Sequence, residues 1–160
     1  ALRQLAILPF VLVFLGGWLF WTLAEYWIHR YVYHVHTTKK WLLKIQHMGH
    51  GIHHQYPRDP TRLAMPPLPA LLLLSVFFGL FWLVMKQYAL AFLPGFLFGY
   101  VVYITLHYAQ HRFKPPRFGM LNMLWKYHAL HHYKYPETKA FGVSTLLWDA
   151  VFGTLPTDDN

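Results

Sequence analysis

The sequence predicts an all-α protein whose helices form a bundle inside a membrane. Two observations predict this fold. The 160-residue chain is 56% hydrophobic and only 12% charged, whereas average soluble domains carry about 25% charged residues. Its apolar residues also occur in long uninterrupted runs. Because the length suits one domain, we expect residues 1–160 to form a single membrane-embedded unit.

Three apolar runs are long enough to cross a bilayer as helices. Leu5–Trp27 contains one charged residue, Glu25, while Leu68–Met85 and Ala89–Leu106 contain none. About 20 apolar residues in a helix span roughly 30 Å of hydrocarbon. Only Lys86–Tyr88 separates the second and third runs, so we expect a tight helical hairpin there. The sequence therefore predicts about three transmembrane helices.

Lysine and arginine lie almost entirely on one side of the predicted membrane. Twelve of the fourteen lie between the first and second runs or after the third run. The positive-inside rule predicts that this face is cytoplasmic. The net charge of +8 would suit a nucleic-acid-binding protein, but a distribution that follows membrane topology argues against that function. The absence of cysteine excludes disulfides, iron–sulfur clusters and thiolate zinc sites.

Ten of the twelve histidines form four groups in the segments on this face. The groups are His29 and His34; His50, His53 and His54; His107 and His111; and His128, His131 and His132. Residues three and four apart share one face of a helix, so members of the last three groups converge. His29 and His34 are five apart, which predicts that the helix ends or distorts between them.

Ten imidazoles exceed what one metal ion can bind, so the pattern predicts a dinuclear site with five nitrogens on each ion. Imidazole suits zinc, copper, iron and nickel, and open coordination positions on paired iron suit oxygen chemistry. His36 and His47 stand outside the groups, and we expect them to be ordinary interfacial side chains. His47 nevertheless shares a helix face with His50 and His54, so it is a candidate contact behind the ligands.

Two divalent ions held by neutral imidazoles carry a large positive charge that acidic groups should offset. Ligating histidines usually donate their second ring N–H to a carboxylate, a carbonyl or water. Glu25 lies one turn before His29, and Asp149 follows the last histidine group. We therefore expect Glu25 and Asp149 to support the ligands from behind. A bridging hydroxide or oxide is the alternative source of negative charge.

At these residues the chain resembles the fatty acid hydroxylase superfamily, and within it the fatty acid 2-hydroxylases, which are sphingolipid α-hydroxylases. The four histidine groups are similar in order and spacing, as are the flanking segments Glu25–Arg30, Trp125–His128 and Phe141–Thr154. The resemblance covers about residues 20–155. It implies a helical membrane fold with a cytosolic cap, in which the ten grouped histidines bind two iron ions. Zinc in the isolated protein is the alternative.

The resemblance also implies a reaction, the hydroxylation of a lipid acyl chain at the carbon next to the carbonyl, with dioxygen as co-substrate. Some family members carry a cytochrome b5 domain, which these 160 residues do not contain. We therefore expect a separate electron donor, such as cytochrome b5 or ferredoxin. Family members commonly have four membrane helices, one more than the three runs. The short chain favours a bacterial inner membrane over the endoplasmic reticulum.

Two other classes of protein share part of this pattern. A sterol desaturase or a carotenoid hydroxylase of the same superfamily would use similar ligands, although the four-group spacing favours the acyl hydroxylase. A histidine-rich membrane metal transporter would need polar or ionisable residues inside its membrane helices. The second and third apolar runs carry no charge, which argues against a transporter.

Overall fold

The computed structural model describes residues 7–63, 67–117 and 119–156, and these residues form helices and loops without strands. Within those ranges the α-helices are α1 Ile7–Ile28, α2 Lys40–Gln46, α3 Ile52–Gln55, α4 Pro67–Met85, α5 Ala89–Arg112, α6 Met120–Tyr133 and α7 Leu147–Val151. Two π-helical segments, His29–Tyr33 and His47–Gly51, and two 3-10 turns, Pro60–Arg62 and Lys86–Tyr88, lie between them. The all-α prediction is confirmed.

Helices α1, α4 and α5 coincide with the three apolar runs and contain 22, 19 and 24 residues. The first two residues of the predicted first run, Leu5 and Ala6, lie outside the described residues. Two stretches, Ile7–Tyr33 and Pro60–Arg112, contain helices long and apolar enough to cross a membrane by length and composition. The number of membrane-spanning helices therefore stays a prediction.

The chain folds into two compact units, each built from two separate stretches of sequence. The described part of the first, here called the apolar unit, is 7–21 and 67–102. The described part of the second, here called the histidine unit, is 22–63, 103–117 and 119–156. Helices α1 and α5 thus contribute residues to both. The prediction that residues 1–160 form a single membrane-embedded domain is not tested by this division into two units.

Glycines bring two helix backbones into contact within the apolar unit. A Cβ added to Gly95 of α5 would overlap the carbonyl oxygen of Phe14 in α1, and one added to Gly17 would overlap that of Phe92. Small residues at an interface are a common way for membrane helices to approach this closely. Helix α5 continues through Pro94, which precedes the contact glycine.

Many side chains of α4 are exposed although they are apolar. Leu68, Leu83 and Val84 are 69%, 68% and 84% exposed, respectively. Contiguous apolar surface of this extent is rare on soluble monomers and marks contact with a membrane or a partner. The exposed apolar face of α4 is therefore of the kind that lipid covers.

Candidate metal centre

The ten grouped histidines come together as two clusters of five in the histidine unit. Site A consists of His29, His34, His50, His54 and His131, and site B consists of His53, His107, His111, His128 and His132. In each site, one ring nitrogen from every residue lies within 4.8 Å of those of the other four. Each site draws on three of the four sequence groups, a partition that spacing alone did not predict.

A distortion of the first helix explains how His29 and His34 reach the same site. Helix α1 ends at Ile28, and His29–Tyr33 continues it as a π-helical segment. The i→i+5 hydrogen bonds of π geometry widen the turn, and such segments occur frequently at functional sites. The predicted distortion between His29 and His34 is confirmed.

A second π-helical segment, His47–Gly51, places the next group. His50 lies in this segment, while His53 and His54 lie in the α3 helix that follows. His50 and His54 join site A, but His53, adjacent to His54 in sequence, joins site B. Neighbouring residues on a helix point in different directions, so this short element supplies ligands to both clusters.

The nitrogen spacing within each cluster fits a single metal ion. In site A the Nε2 of His50 lies 2.9 Å from that of His29 and 2.8 Å from that of His54. Neighbouring Nε2 atoms around site B lie 2.8 to 3.2 Å apart. Ligands about 2.1 Å from one ion and at right angles to each other stand about 3.0 Å apart. The described imidazoles therefore fit a metal ion in each cluster.

Burial keeps the imidazoles in the neutral form that binds metal. It lowers the pKa of His34 and His54 to about 4. It lowers the pKa of His53 and His131 to about 3. Each cluster thus offers lone pairs at neutral pH.

The two sites adjoin each other. The rings of His54 in site A and His132 in site B stack with centroids 4.2 Å apart and an interplanar angle of 24°. The rings of His50 and His53 lie 5.4 Å apart across the same boundary. Two ions held by these clusters would be close neighbours, as the dinuclear prediction requires.

Backbone carbonyls hold two of the site A rings from behind. The Nδ1–H of His29 donates to the carbonyl oxygen of Phe141 at 2.6 Å, and that of His131 donates to Lys139 at 3.0 Å. A ring that donates through Nδ1 keeps its Nε2 lone pair for the metal. These carbonyls lie in the segment 139–144, here called the carbonyl loop.

The two predicted carboxylates bind the carbonyl loop. Glu25 accepts backbone N–H bonds from Val143 and Ser144 at 2.7 and 2.8 Å. Asp149 accepts N–H bonds from the loop at 2.9 and 2.7 Å and the hydroxyl of Thr154 at 2.6 Å. Burial raises the pKa of Asp149, which these three hydrogen bonds oppose. We expected Asp149 to support a ligand. Among the described residues its hydrogen-bond partners are the carbonyl loop and Thr154 and not an imidazole, so it supports the ligands through the loop.

The carbonyl loop adopts an unusual backbone at its centre. Ala140, which is fully buried, has a φ of 59° in the left-handed region that costs roughly 1–2 kcal/mol for a residue with a Cβ. Its N–H donates to the carbonyl oxygen of Thr154 at 2.9 Å. Strain of this kind persists only where surrounding contacts hold it, and it concentrates at functional sites.

Sequence reasoning did not identify the backbone partners or Glu137 as parts of the site. The Glu137 carboxylate lies 3.7 Å from the Nδ1 of His34 in site A. Every residue has a backbone carbonyl oxygen, so the sequence could not indicate that those of Lys139 and Phe141 bind the histidines. His36 and His47 are exposed and belong to neither cluster.

A cavity of about 160 Å³ borders site B, and His111, His128 and His132 are among the residues that line it. Gln110 also lines it and donates through Nε2 to the carbonyl oxygen of Val143 at 3.0 Å. Three of the five ligands of site B therefore border open space.

Comparison with known proteins identifies relatives over most of the chain. The model of the fatty acid hydroxylase family matches residues 14–154. A dihydroceramide fatty acyl 2-hydroxylase of Arabidopsis thaliana is 42% identical over 143 residues, covering 88% of this chain and 59% of the relative. The fatty acid 2-hydroxylase of Rattus norvegicus is 36% identical over 149 residues, covering 91% of this chain and 40% of the relative.

A yeast protein and a solved structure extend these findings. A ceramide very long chain fatty acid hydroxylase of Saccharomyces cerevisiae is 38% identical over 161 residues, covering 96% of this chain and 40% of the relative. A structure of full-length scs7p, in which only the hydroxylase domain is visible, superposes with a TM-score of 0.87 at 35% identity. The superposition covers 99% of this chain and 61% of the scs7p chain. The chain thus spans between 40% and 59% of the length of these three curated relatives.

Proposed function

Because the chain belongs to the fatty acid hydroxylase family, we propose that it hydroxylates a lipid acyl chain at the carbon next to the carbonyl, with dioxygen as co-substrate. The observation that carries the proposal is the pair of adjoining five-imidazole clusters. The relatives' names, which specify fatty acyl and ceramide hydroxylation, support an acyl substrate. They favour this reaction over sterol desaturation or carotenoid hydroxylation.

The ten clustered histidines hold two iron ions in this proposal, one in site A and one in site B. Zinc in the isolated protein fits the same donors, since imidazole binds either metal. When bound, paired iron supplies the activation of oxygen that an unactivated C–H bond requires. The chain's own residues hold the ligands, keep them neutral by burial and shield them from bulk water.

The protein itself must select one carbon, since an acyl chain offers many similar methylene groups. Holding that carbon at a fixed place relative to the reacting groups can remove a large part of the barrier to such a reaction. The exposed apolar surface of α4 supports insertion in the bilayer, where acyl chains are concentrated. We place the metal centre at the cytoplasmic face, on the basis of the lysine and arginine distribution.

Electrons reach this enzyme from a separate protein such as cytochrome b5 or ferredoxin. The excess of basic residues on the predicted cytoplasmic face suits an acidic donor, because complementary charge steers association. The expected bacterial inner membrane receives no support from the comparisons, since the relatives reported above come from a plant, a mammal and a yeast.

Lipid mass spectrometry tests this function. The chain is produced with a donor and its reductase in cells that lack 2-hydroxylated lipids. We expect acyl chains to gain one oxygen atom, and fragmentation to place the hydroxyl at the carbon next to the carbonyl. The double variant of His128→Ala and His131→Ala serves as the inactive control, and His47→Ala as its matched active control. A metal-loaded chain that hydroxylates no acyl chain would contradict the proposal.

A further inference from the structure

The rings of site A are anchored by the carbonyl loop. His29 and His131 donate to the Phe141 and Lys139 carbonyl oxygens of the same short segment. Such bonds fix the ring orientation and the tautomer, and they raise the basicity of the ligating nitrogen. Two of the five site A ligands therefore keep a single orientation with their Nε2 atoms free for the metal.

Site B has fewer such anchors, since among the described residues one of its rings, that of His107, bonds to a backbone group, that of Leu63. The Nδ1 atoms of His53, His128 and His132 are buried and have no hydrogen-bond partner within the described part of the chain. On the side that faces away from the metal position, these three rings are held by packing. Site B also borders the cavity of about 160 Å³. The two sites are equally buried, with three buried and two half-buried histidines each, so the difference between them lies in the anchors.

The carbonyl loop is itself fixed by two carboxylates. Asp149, with no exposed surface, binds the N–H groups of Phe141 and Gly142, and Glu25 binds those of Val143 and Ser144. Four consecutive loop amides are thus held by charged acceptors, which form hydrogen bonds about twice as strong as neutral ones. The carbonyl oxygen of Phe141 faces His29 from a segment that cannot shift without breaking these bonds.

We propose that the carbonyl loop makes site A the tighter of the two metal positions, and that Asp149 and Glu25 are the positioning residues that set its affinity. This inference rests on the two-metal centre of the proposed function. Metal binds first at site A and leaves first from site B. The two ions are therefore inequivalent, although each has five imidazoles.

Loss of an outer partner of a ligating histidine typically lowers metal affinity about 10- to 100-fold. The loop N–H groups of Phe141 and Gly142 need acceptors. Asp149→Asn replaces one acceptor oxygen with an NH₂ group, which can only donate, so the loop is no longer held in one position. Glu25→Gln removes the charge that Val143 and Ser144 bind. Both changes act on site A through the loop, while the ligands of site B remain as they are.

Chelator competition with the full chain in lipid nanodiscs tests the inference. The protein is loaded with zinc and treated with increasing EDTA, and the zinc that remains per chain is measured by mass spectrometry. We expect the wild type to release two ions in separate steps. In Asp149→Asn and Glu25→Gln the tighter step should weaken about 10- to 100-fold while the other stays within about twofold.

Variants that lack one ligand assign each step of zinc release to a site. A His128→Ala chain should keep one ion that leaves at the tighter step, whereas a His131→Ala chain should keep one that leaves at the weaker step. Asp59→Asn is the matched control, because the partners of this exposed carboxylate among the described residues are Thr61 and Arg62, far along the chain from the loop. Circular dichroism establishes that each variant keeps its helices, and Glu25→Gln decides the outcome if Asp149→Asn does not fold.

Three results from the variants would overturn the inference: an unchanged tighter step in the folded carboxylate variants, an equal shift of both steps, or loss of the tighter step in His128→Ala. A wild-type chain that holds two ions and releases them together would also overturn it, but would leave the proposed function standing. A wild-type chain that cannot hold two ions would overturn both.

Discussion

In the apolar unit many large apolar side chains are exposed, whereas in the histidine unit the most buried side chains include an imidazole and a carboxylate. Val84 is 84% exposed, but His131 and Asp149 have no exposed surface. The apolar unit is held by close backbone contact at Gly17 and Gly95. The histidine unit is held by buried hydrogen bonds. The two units are therefore packed differently. Exposed apolar side chains suit contact with lipid, and buried hydrogen-bonded polar groups suit a metal centre.

This comparison implies that substitutions of similar size should have different consequences in the two units. In the histidine unit a change at the centre should remove metal and activity, because its buried polar groups include clustered histidines and the carboxylates that bind the carbonyl loop. In the apolar unit a change should alter the stability of helix packing and leave the metal content of folded chains intact.

The largest expected effect is the loss of a clustered histidine. His131→Ala removes one of five site A nitrogens together with its bond to Lys139. Since loss of an outer partner alone lowers affinity or activity about 10- to 100-fold, loss of a ligand should exceed about 100-fold. Hydroxylated lipid per folded chain measures the effect. Activity within about threefold of the wild type would place His131 outside the site.

The next effect tests the apolar unit. Gly95→Leu forces a side chain into the backbone of α1, and overpacking of this kind costs typically about 1–3 kcal/mol or more. Gly79→Leu is the matched control, since a Cβ at Gly79 meets nothing within 4 Å. Thermal unfolding in nanodiscs should show a lower midpoint for Gly95→Leu alone. Equal midpoints would refute the close backbone contact.

Acid should destabilise the metal-free protein through the histidine unit. Burial lowers the pKa of His34 and His54 to about 4 and of His53 and His131 to about 3, against 6.5 in the unfolded chain. Unfolding near pH 5 therefore takes up about four protons at these groups, so stability is lost as the pH falls from about 6.5 towards 4. The unfolding midpoint as a function of pH measures this. A flat profile over that range would contradict the burial of neutral imidazoles.

The smallest effect is expected at the two histidines outside both sites. His36 and His47 are exposed, and surface substitutions usually change stability by less than about 0.5 kcal/mol. His36→Ala and His47→Ala should keep the wild-type metal content and unfolding midpoint. Metal loss in His47→Ala would support the expectation from its helix face that it lies behind the ligands.

The helices and the set of clustered histidines were accessible from the sequence. The run Leu68–Met85 became the helix Pro67–Met85, because an apolar segment of that length has few other stable forms in lipid. The five-residue interval between His29 and His34 predicted that the helix ends or distorts there, and a π-helical segment does follow α1. These features depend on local spacing, which sequence records directly.

The partition of the histidines and their outer partners were not accessible. His53 and His54 are neighbours in sequence but belong to different sites, which depends on how α3 follows the segment His47–Gly51. The carbonyl oxygens of Lys139 and Phe141 are backbone atoms that every residue has. Asp149 was identified by its type and position, but its contacts with the loop required the fold.

Metal analysis of matched variants tests the central claim, that ten histidines form two adjoining five-ligand sites, most directly. We expect two ions per wild-type chain. The site A double variant, His29→Ala with His131→Ala, should bind one ion. The site B double variant, His107→Ala with His128→Ala, should also bind one ion. A folded wild-type chain that binds one ion or none, or a double variant that still binds two, would contradict the account.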